Sequence, residues 1–352
     1  MRSHGGQRGE LALLDRIRAR AAQRTAEGKF SARELRLGIG DDCALLRVGP
    51  GEELALTTDL AIEGRHFRLG WHTPESIGHR TLARGLSDLA AMGARPVAAF
   101  LSLGLPKHLV QNRKVNWIER FFEGFFALAS AHQTPLAGGD LAESPIAVAD
   151  IVLTGAVRRG AALLRSGARP GHRLYVTGAL GGSAAALVWL AQWADARPGA
   201  RAAKQGSEQF QPPRLPVKFQ SLLAPHLFPQ PRIAQGQWLA RHALASAAMD
   251  LSDGLSTDLA HLCRESHVAA EVDAAALPVH SSATLEQALH GGEDYELLFT
   301  APPGARLPRR IAGVPVTLIG RIVPPRRGRP AVALCGAQGV RPLAPKGWEH
   351  FS

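Results

Sequence analysis

The chain has 352 residues, enough for about two domains with a core each, and 45% hydrophobic against 20% charged residues is an ordinary globular mix. No apolar run approaches the roughly 18 residues of a membrane span, and Leu11-Ala12-Leu13-Leu14 is cut short by Asp15 and Arg16, which argues against a signal peptide. The net charge of +11 sits in two places: Arg197–Lys218 holds five basic residues and one acid, and Arg306–Arg329 holds seven arginines and no acid. Both stretches are rich in Pro and Gly, with no basic helix and no interleaved aromatics. They read as solvated loops or local anion attractors, so neither nucleic acid nor membrane is expected as a partner. Cys43, Cys263 and Cys335 are far apart and form no C-x-x-C, which fits a reducing cytoplasm without a disulfide frame or zinc site.

In chain order, residues 10–27 predict a helix from Leu11, Leu14, Ile17 and Ala21. Leu54–Thr58 and Val97–Leu103 read as strands. Between them Pro74–Met92 reads as a helix, with Pro near its start and Ile77, Leu82, Leu86, Leu89 and Ala90 as an apolar stripe. Asn112–His132 reads as a second long helix and Ile146–Val157 as a strand. After Gly160 the pattern restarts. Arg173–Thr177 is a strand and Ser183–Ala194 a helix. Residues 196–216 hold four prolines, two glycines and no periodicity, as in a flexible insertion. Ile233–Ala245 and Leu255–Ser266 are helices; Val268–Asp273, Tyr295–Thr300, Val314–Ile319 and Ala331–Leu334 are strands. The irregular mixture predicts an α+β (mixed α/β) chain of two domains, 1–160 and 161–352.

The chemistry is carried by acids set among small residues: Gly38-Ile39-Gly40-Asp41-Asp42, Thr57-Thr58-Asp59, Ser87-Asp88, Gly138-Gly139-Asp140, Asp250-Leu251-Ser252-Asp253-Gly254 and Gly291-Gly292-Glu293-Asp294. Gathered carboxylates without lysines nearby are costly unless a cation neutralises them. Hard oxygen ligands on glycine-bordered turns suit Mg²⁺, which commonly arrives with phosphate. Each motif also has a plain reading. Thr57-Thr58-Asp59 makes a strand-end turn. Asp88 makes a solvated helix face, although Gly85, Ser87, Ala90 and Ala91 leave room for close approach. Gly138-Gly139-Asp140 is either a turn or a nest of amides for an anion. Ser252 or Asp253 would cap the following helix, which explains one acid and not two, whereas phosphate bridged by metal at the helix N-terminus explains both. Gly291-Gly292 is a hairpin turn or a device aiming Glu293 or Asp294 at a ligand. No G-x-x-x-x-G-K-[ST], H-R-D, D-F-G or G-x-G-x-x-G is present, which excludes P-loop, protein-kinase and Rossmann sites.

The order of these motifs resembles the thiamine-monophosphate kinase family from about Glu10 to Phe351. The matching stretches are GIGDDCALL (38–46), TTDLAIEGRHF (57–67), LSDLAAMGARP (86–96), GGD (138–140), RSGARPG (165–171), YVTG (175–178), PRIAQG (231–236), DLSDGL (250–255), GGEDYELLFT (291–300) and KGWEHF (346–351). The resemblance implies the two-domain fold of aminoimidazole ribonucleotide synthetase-like enzymes. Residues 1–160 would bind ATP and Mg²⁺ and pair into a homodimer. The implied reaction is phosphorylation of thiamine monophosphate by ATP, the last step of thiamine diphosphate biosynthesis, in the cytoplasm. By motif position it implies Asp42, Thr57, Thr58, Asp59, Asp88, Asp140, Asp250 and Asp253 as magnesium ligands. It likewise implies Gly139, Asp140, Arg165 and Ser252 at ATP, and His66, Glu293 and Trp348 at thiamine monophosphate. Gly182 and Leu141 depart from polar residues common in the family. No acid–base side chain is required, because the acceptor phosphate has its second pKa at about 6 and is already largely ionised. Two alternatives stay open: another ATP-dependent synthetase of the superfamily, and a non-catalytic nucleotide- or nucleic-acid-binding module. Selenophosphate synthesis would call for a reactive N-terminal Cys and hydrogenase maturation for a C-terminal one, whereas this chain ends Trp348-Glu349-His350-Phe351-Ser352.

Overall fold

The computed structural model describes residues 10–27, 34–37, 45–111, 116–196, 212–216, 219–325, 328 and 330–348. The first part of the chain runs α1 (Glu10–Ala26), β1 (Leu35–Leu37), β2 (Leu45–Leu46), β3 (Glu52–Ile62), α2 (Pro74–Ala91), β4 (Arg95–Leu105), α3 (Lys107–Gln111), α4 (Trp117–Ala131), β5 (Leu136–Glu143) and β6 (Val148–Arg158). Strands β3, β6, β4 and β5 form a four-stranded sheet in that order, with β4 and β5 parallel and the other pairs antiparallel.

The second part runs β7 (Arg173–Thr177), α5 (Gly182–Asp195), α6 (Gln220–Leu227), α7 (Ile233–His242), β8 (Ala247–Asp250), α8 (Leu255–Glu265) and β9 (Ala269–Asp273). It continues with α9 (Leu285–His290), β10 (Leu297–Ala301), β11 (Arg310–Ile311), β12 (Val314–Val323), β13 (Val332–Gly336) and β14 (Gly339–Pro342). Its sheet has the order β14-β13-β9-β12-β7-β10-β8, with β11 pairing β12. Two large sheets and the small antiparallel β1–β2 pair, with helices in irregular alternation, make a two-domain α+β fold.

The chain folds around α2. Thr73 caps it by accepting from the Ser76 amide, and Pro74 opens it where no intrahelical donor is needed. Leu82, Ala83, Leu86 and Ala90 are fully buried. Glycines let α4 and α7 come close. A Cβ at Gly124 of α4 would lie 1.8 Å from the Glu75 carbonyl oxygen, and one at Gly236 of α7 1.9 Å from that of Ala90. An aromatic row from Trp117 through Phe121, Phe122, Phe125 and Phe126 fills the space beside α2.

Two local expectations change. The helix expected over Asn112–His132 begins at Trp117, after a separate short α3; residues 112–115 lie outside the described ones. Gly138-Gly139-Asp140 is neither a turn nor a nest but part of β5, with Gly139 opposite Leu101 and Asp140 opposite Ser102. Glycine is required there, since a Cβ on Gly139 would meet the Leu101 carbonyl oxygen at 1.9 Å. Most of the 196–216 stretch, 197–211, lies outside the described residues. Cys263 and Cys335 are free thiols, and Cys43 lies outside the described residues.

Candidate active site

Strand alternation sorts the β3 motif. Thr57 and Asp59 point to the face covered by α2, paired in register with buried Leu153 and Ile151; Thr58 points to the opposite face with Leu56 and Leu60. On the α2 side, Thr57 Oγ1 donates to Asp88 Oδ2 at 2.5 Å, and Arg84 Nη2 donates to Asp59 Oδ1 at 2.7 Å. Asp88 is therefore not on a solvated helix face.

The end of β8 meets α2 at the same place. Ser87 Oγ donates to Asp250 Oδ2 at 2.6 Å, and Asp250 is buried. Burial pushes the Asp88 carboxyl up to about 7, the neighbouring Asp250 and Asp59 charges add to this, and the Thr57 hydroxyl and Arg165 oppose it. Asp250 is pushed up as well, chiefly by burial, against the Ser87 hydrogen bond and Arg165. A pair of acids in this state, one buried and one half-buried, is short of positive charge. Arg165 is exposed, and its backbone oxygen accepts from Ser266 Oγ.

The segment after β8 is held in an unexpected way. The N-cap of α8 is Gly254, and neither Ser252 nor Asp253 caps it. Instead Asp258, inside the first turn, reaches back to accept from the amides of Asp253 at 3.1 Å and Gly254 at 3.0 Å. Burial, then the charges of Asp250 and Asp253, push Asp258 up to about 8. The Asp253 carbonyl accepts from the Trp348 amide at 3.1 Å, and the Gly347 amide donates to Thr257 Oγ1 at 3.0 Å, so the C-terminal segment lies over the start of α8. The Trp348 residue is 48% exposed there.

The Glu293 loop is stitched to the same segment: the Glu293 amide donates to the Ser252 carbonyl at 2.8 Å and the Tyr295 amide to the Leu251 carbonyl at 2.9 Å. Glu293 and Tyr295 take left-handed backbone, with φ of 66° and 51°, a costly conformation held by these contacts. The Glu293 carboxylate accepts from Arg80 Nη2 at 2.6 Å and lies 3.6 Å from Arg84 Nη1. Burial would raise its pKa, but Arg80 and then Arg84 outweigh this and hold it low. Asp294 turns the other way and accepts from the amides of Gly181 at 2.6 Å and Ser183 at 3.3 Å at the start of α5. Burial pushes it up to about 7 all the same. His66 Nδ1 accepts from the Ile62 amide at 3.0 Å, and His66 lines a small pocket with Ala61, Phe67, Ile77, Arg80, Thr81 and Arg84.

The structure thus brings Thr57, Asp59, Asp88 and Asp250 to one face of α2, with Ser252, Asp253, Glu293 and Trp348 on adjoining segments. Thr58, Gly139 and Asp140 belong to the four-stranded sheet. There Asp140 points to the face opposite α2, with its Oδ1 accepting from the Leu141 amide at 2.9 Å. Asp42 lies outside the described residues. Among the described residues no three His, Cys, Asp or Glu side chains are arranged as a ready metal cage. Sequence reading passed over Arg80, Arg84 and Asp258. The first two carried a signal: 80, 84 and 88 are spaced by four, a line of charge along one side of the helix.

Residues 40–157 match the family model for the N-terminal domain of AIR synthase related proteins, and residues 169–332 match the model for their C-terminal domain. A thiamine-monophosphate kinase of Escherichia coli K12 is 37% identical over 361 aligned positions, covering 98% of either chain. The chain belongs to the thiamine-monophosphate kinase family. The crystal structure of such a kinase from Stenotrophomonas maltophilia covers 90% of this chain and 94% of its own, with a TM-score of 0.73 and 38% identity. The structure of AaThiL complexed with AMPPCP and TMP covers 100% of this chain and 99% of its own, with a TM-score of 0.70 and 30% identity. Asp88 belongs to the first matched region and Asp250 to the second, so the acid pair lies where the two regions meet.

Asp294 makes a test of these electrostatics away from the acid pair. A carboxyl raised to about 7 in the fold, against about 3.9 unfolded, leaves the folded state with more bound protons between those values. Its contribution to stability is therefore fullest below about pH 4 and is lost as the pH rises through about 7. Asp294→Asn should raise the melting temperature at about pH 8 by roughly 2–4 °C, or about 1 kcal/mol, and lose that advantage near pH 4. Thermal denaturation at the two pH values measures this, and an advantage that does not change with pH contradicts it.

Proposed function

We propose that this chain transfers the γ-phosphoryl group of ATP to thiamine monophosphate, forming thiamine diphosphate and ADP. The observation that carries the reading is the Asp88–Asp250 pair, built where the two family regions meet in a chain related to thiamine-monophosphate kinases over almost its whole length. Two polyanions must be brought together, and their repulsion is the main obstacle.

The donor set suits Mg²⁺: hydroxyl and carboxylate oxygens, with two acids, Asp250 buried and Asp88 half-buried, whose raised pKa values mark a need for positive charge. Asp88, Asp250, Thr57 and Asp59 would hold it on the α2 face, with Asp253 on the adjoining segment and Asp42 as a further ligand; the side chains of Thr58 and Asp140 face away from α2 and would serve only a separate ion on the other face of the sheet. When bound, the metal would neutralise phosphate charge and align donor and acceptor oxygens for in-line transfer. Asp59 is already paired with Arg84, so on metal binding it would share its charge between the two.

Gly139, Asp140, Arg165 and Ser252 are proposed at the nucleotide. On the acceptor side, Glu293 offers a carboxylate kept ionised by two arginines, matched to the cationic thiazolium or the aminopyrimidine of thiamine. Exposed Trp348 offers a flat face to the same cation. No side chain needs to take a proton from an acceptor phosphate already ionised, and no phosphoenzyme is formed.

Residues 1–160 and 161–352 are proposed as the two domains, and the chain as a homodimer. Its sheet leaves Leu54, Leu56 and Leu60 in a row, 49%, 63% and 43% exposed, on the face away from α2. Pairing through this face would bring a second copy against Thr58 and Asp140. A cytoplasmic setting is proposed too; no described helix is long and apolar enough to cross a membrane.

Purified chain supplied with ATP, Mg²⁺ and thiamine monophosphate should yield thiamine diphosphate. Asp88→Asn or Asp250→Asn should lower turnover by about 100-fold or more. Absence of product from the parent chain, or near-normal turnover in both variants, contradicts the reading. Leu56→Glu should convert a dimer in sedimentation equilibrium to a monomer; a parent chain that is itself monomeric removes the dimer proposal.

A further inference from the structure

Arg80 is buried in α2 and has more acceptors around it than any one ion pair needs. Its Nη2 donates to Glu293 Oε1 at 2.6 Å and to the His66 backbone oxygen at 3.2 Å. Its Nη1 donates to the His226 backbone oxygen, and His226 Nδ1 lies 3.2 Å from it. One guanidinium thus ties together the loop after β3, the helix α6 and the Glu293 loop. The planar fork of arginine can serve these diverging acceptors at once, which an ammonium cannot.

The surroundings keep that guanidinium in place. His226 Nε2 lies 3.0 Å from His72 Nε2, and His226 Nδ1 lies 3.0 Å from Ser183 Oγ. Burial pushes both histidines well down, so neither competes with Arg80 as a cation at neutral pH. The remaining groups facing the Glu293 carboxylate are Arg84 of α2 and the neighbouring Asp294 and Tyr295. The hydrogen bonds of Arg80 run to Glu293, His66 and His226 rather than toward the Asp88–Asp250 pair, so its influence falls on one side of the site.

We propose that Arg80 is the positioning residue of the thiamine monophosphate half of the site, fixing the Glu293 carboxylate and the His66 backbone in a single geometry while leaving the nucleotide half alone. The inference rests on the proposed reaction and adds a residue that neither motif spacing nor kinship assigns. Arg80 acts through Glu293 and His66 and needs no contact with substrate of its own.

Steady-state kinetics of Arg80→Met and Arg80→Lys, with Mg²⁺ and each substrate varied in turn, test it. Loss of charge-assisted bonds to a half-buried carboxylate should raise KM for thiamine monophosphate about 10- to 100-fold in Arg80→Met, with KM for ATP within about twofold of the parent. Arg80→Lys should recover part of the loss, because one ammonium can still reach Glu293. Without Arg80, burial of Glu293 is opposed chiefly by Arg84, with His72 adding less, and its pKa rises. KM for thiamine monophosphate in Arg80→Met should therefore climb more steeply than in the parent as the pH falls from about 8 to about 6. If Arg80→Met fails to fold, Arg80→Lys carries the test through the same split in KM. Equal rises in both KM values, a fall in kcat alone, or a pH profile like that of the parent would overturn the inference. A parent chain that forms no thiamine diphosphate overturns the functional reading and this inference with it, and is told apart by the parent assay.

Discussion

Two carboxylates gathered where α2 meets β8, Asp250 buried and Asp88 half-buried, are the constraint on which the rest of the site depends. Burying acids of like charge is unfavourable unless they are neutralised. Asp88 and Asp250 are each given one hydroxyl donor, from Thr57 and Ser87, and the distant pull of exposed Arg165. These partners are too few to hold two ionised acids at their ordinary pKa, and both are pushed up. Elsewhere in the same molecule a buried acid is fully served: Glu296 takes a bidentate pair from Arg232 and a hydroxyl from Thr177. The contrast marks the Asp88–Asp250 junction as a place shaped for a cation that arrives with ligand.

Helix α2 organises both halves of the chemistry because it carries Arg80, Arg84 and Asp88 at intervals of four along one line. Toward its C-terminal end it meets Asp250 through Ser87; a turn or two earlier it grips Asp59 and Glu293 with two guanidinia. Negative charge for metal and positive charge for orientation thus share one rigid element, the kind of support that a preorganised site requires. Its glycine-mediated contacts with α4 and α7 leave it little room to shift.

Much of this frame was legible in the sequence. The apolar spacing of 77, 82, 86, 89 and 90 located α2 to within a residue, and Arg173–Thr177 matches β7 at both ends. Glycine-rich segments were harder to read. Gly138-Gly139-Asp140 carries two residues that normally break strands, yet parallel pairing with β4 and the close approach at Leu101 demand glycine inside β5. Capping of α8 was misread because the acid that gathers the loop amides, Asp258, lies inside the helix rather than before it. Motif order brought Thr57, Asp59, Asp88, Asp250 and Glu293 to attention, but not their partners. Arg80 and Arg84 are recognised only once β3 and the Glu293 loop, far apart in sequence, close over α2. The opposite-face placement of Thr58 and Asp140 depends on strand register, which local spacing did not reveal.

The central claim is that the Asp88–Asp250 junction is short of positive charge until a divalent cation supplies it. Its most direct measurement is the melting temperature at about pH 8, with and without Mg²⁺, for the parent chain and for a variant carrying both Asp88→Asn and Asp250→Asn. The account predicts a rise of several degrees on adding Mg²⁺ to the parent and a much smaller one in the double variant, with the metal-free double variant melting above the metal-free parent. An equal response to Mg²⁺ in both proteins, or none in the parent, would contradict it.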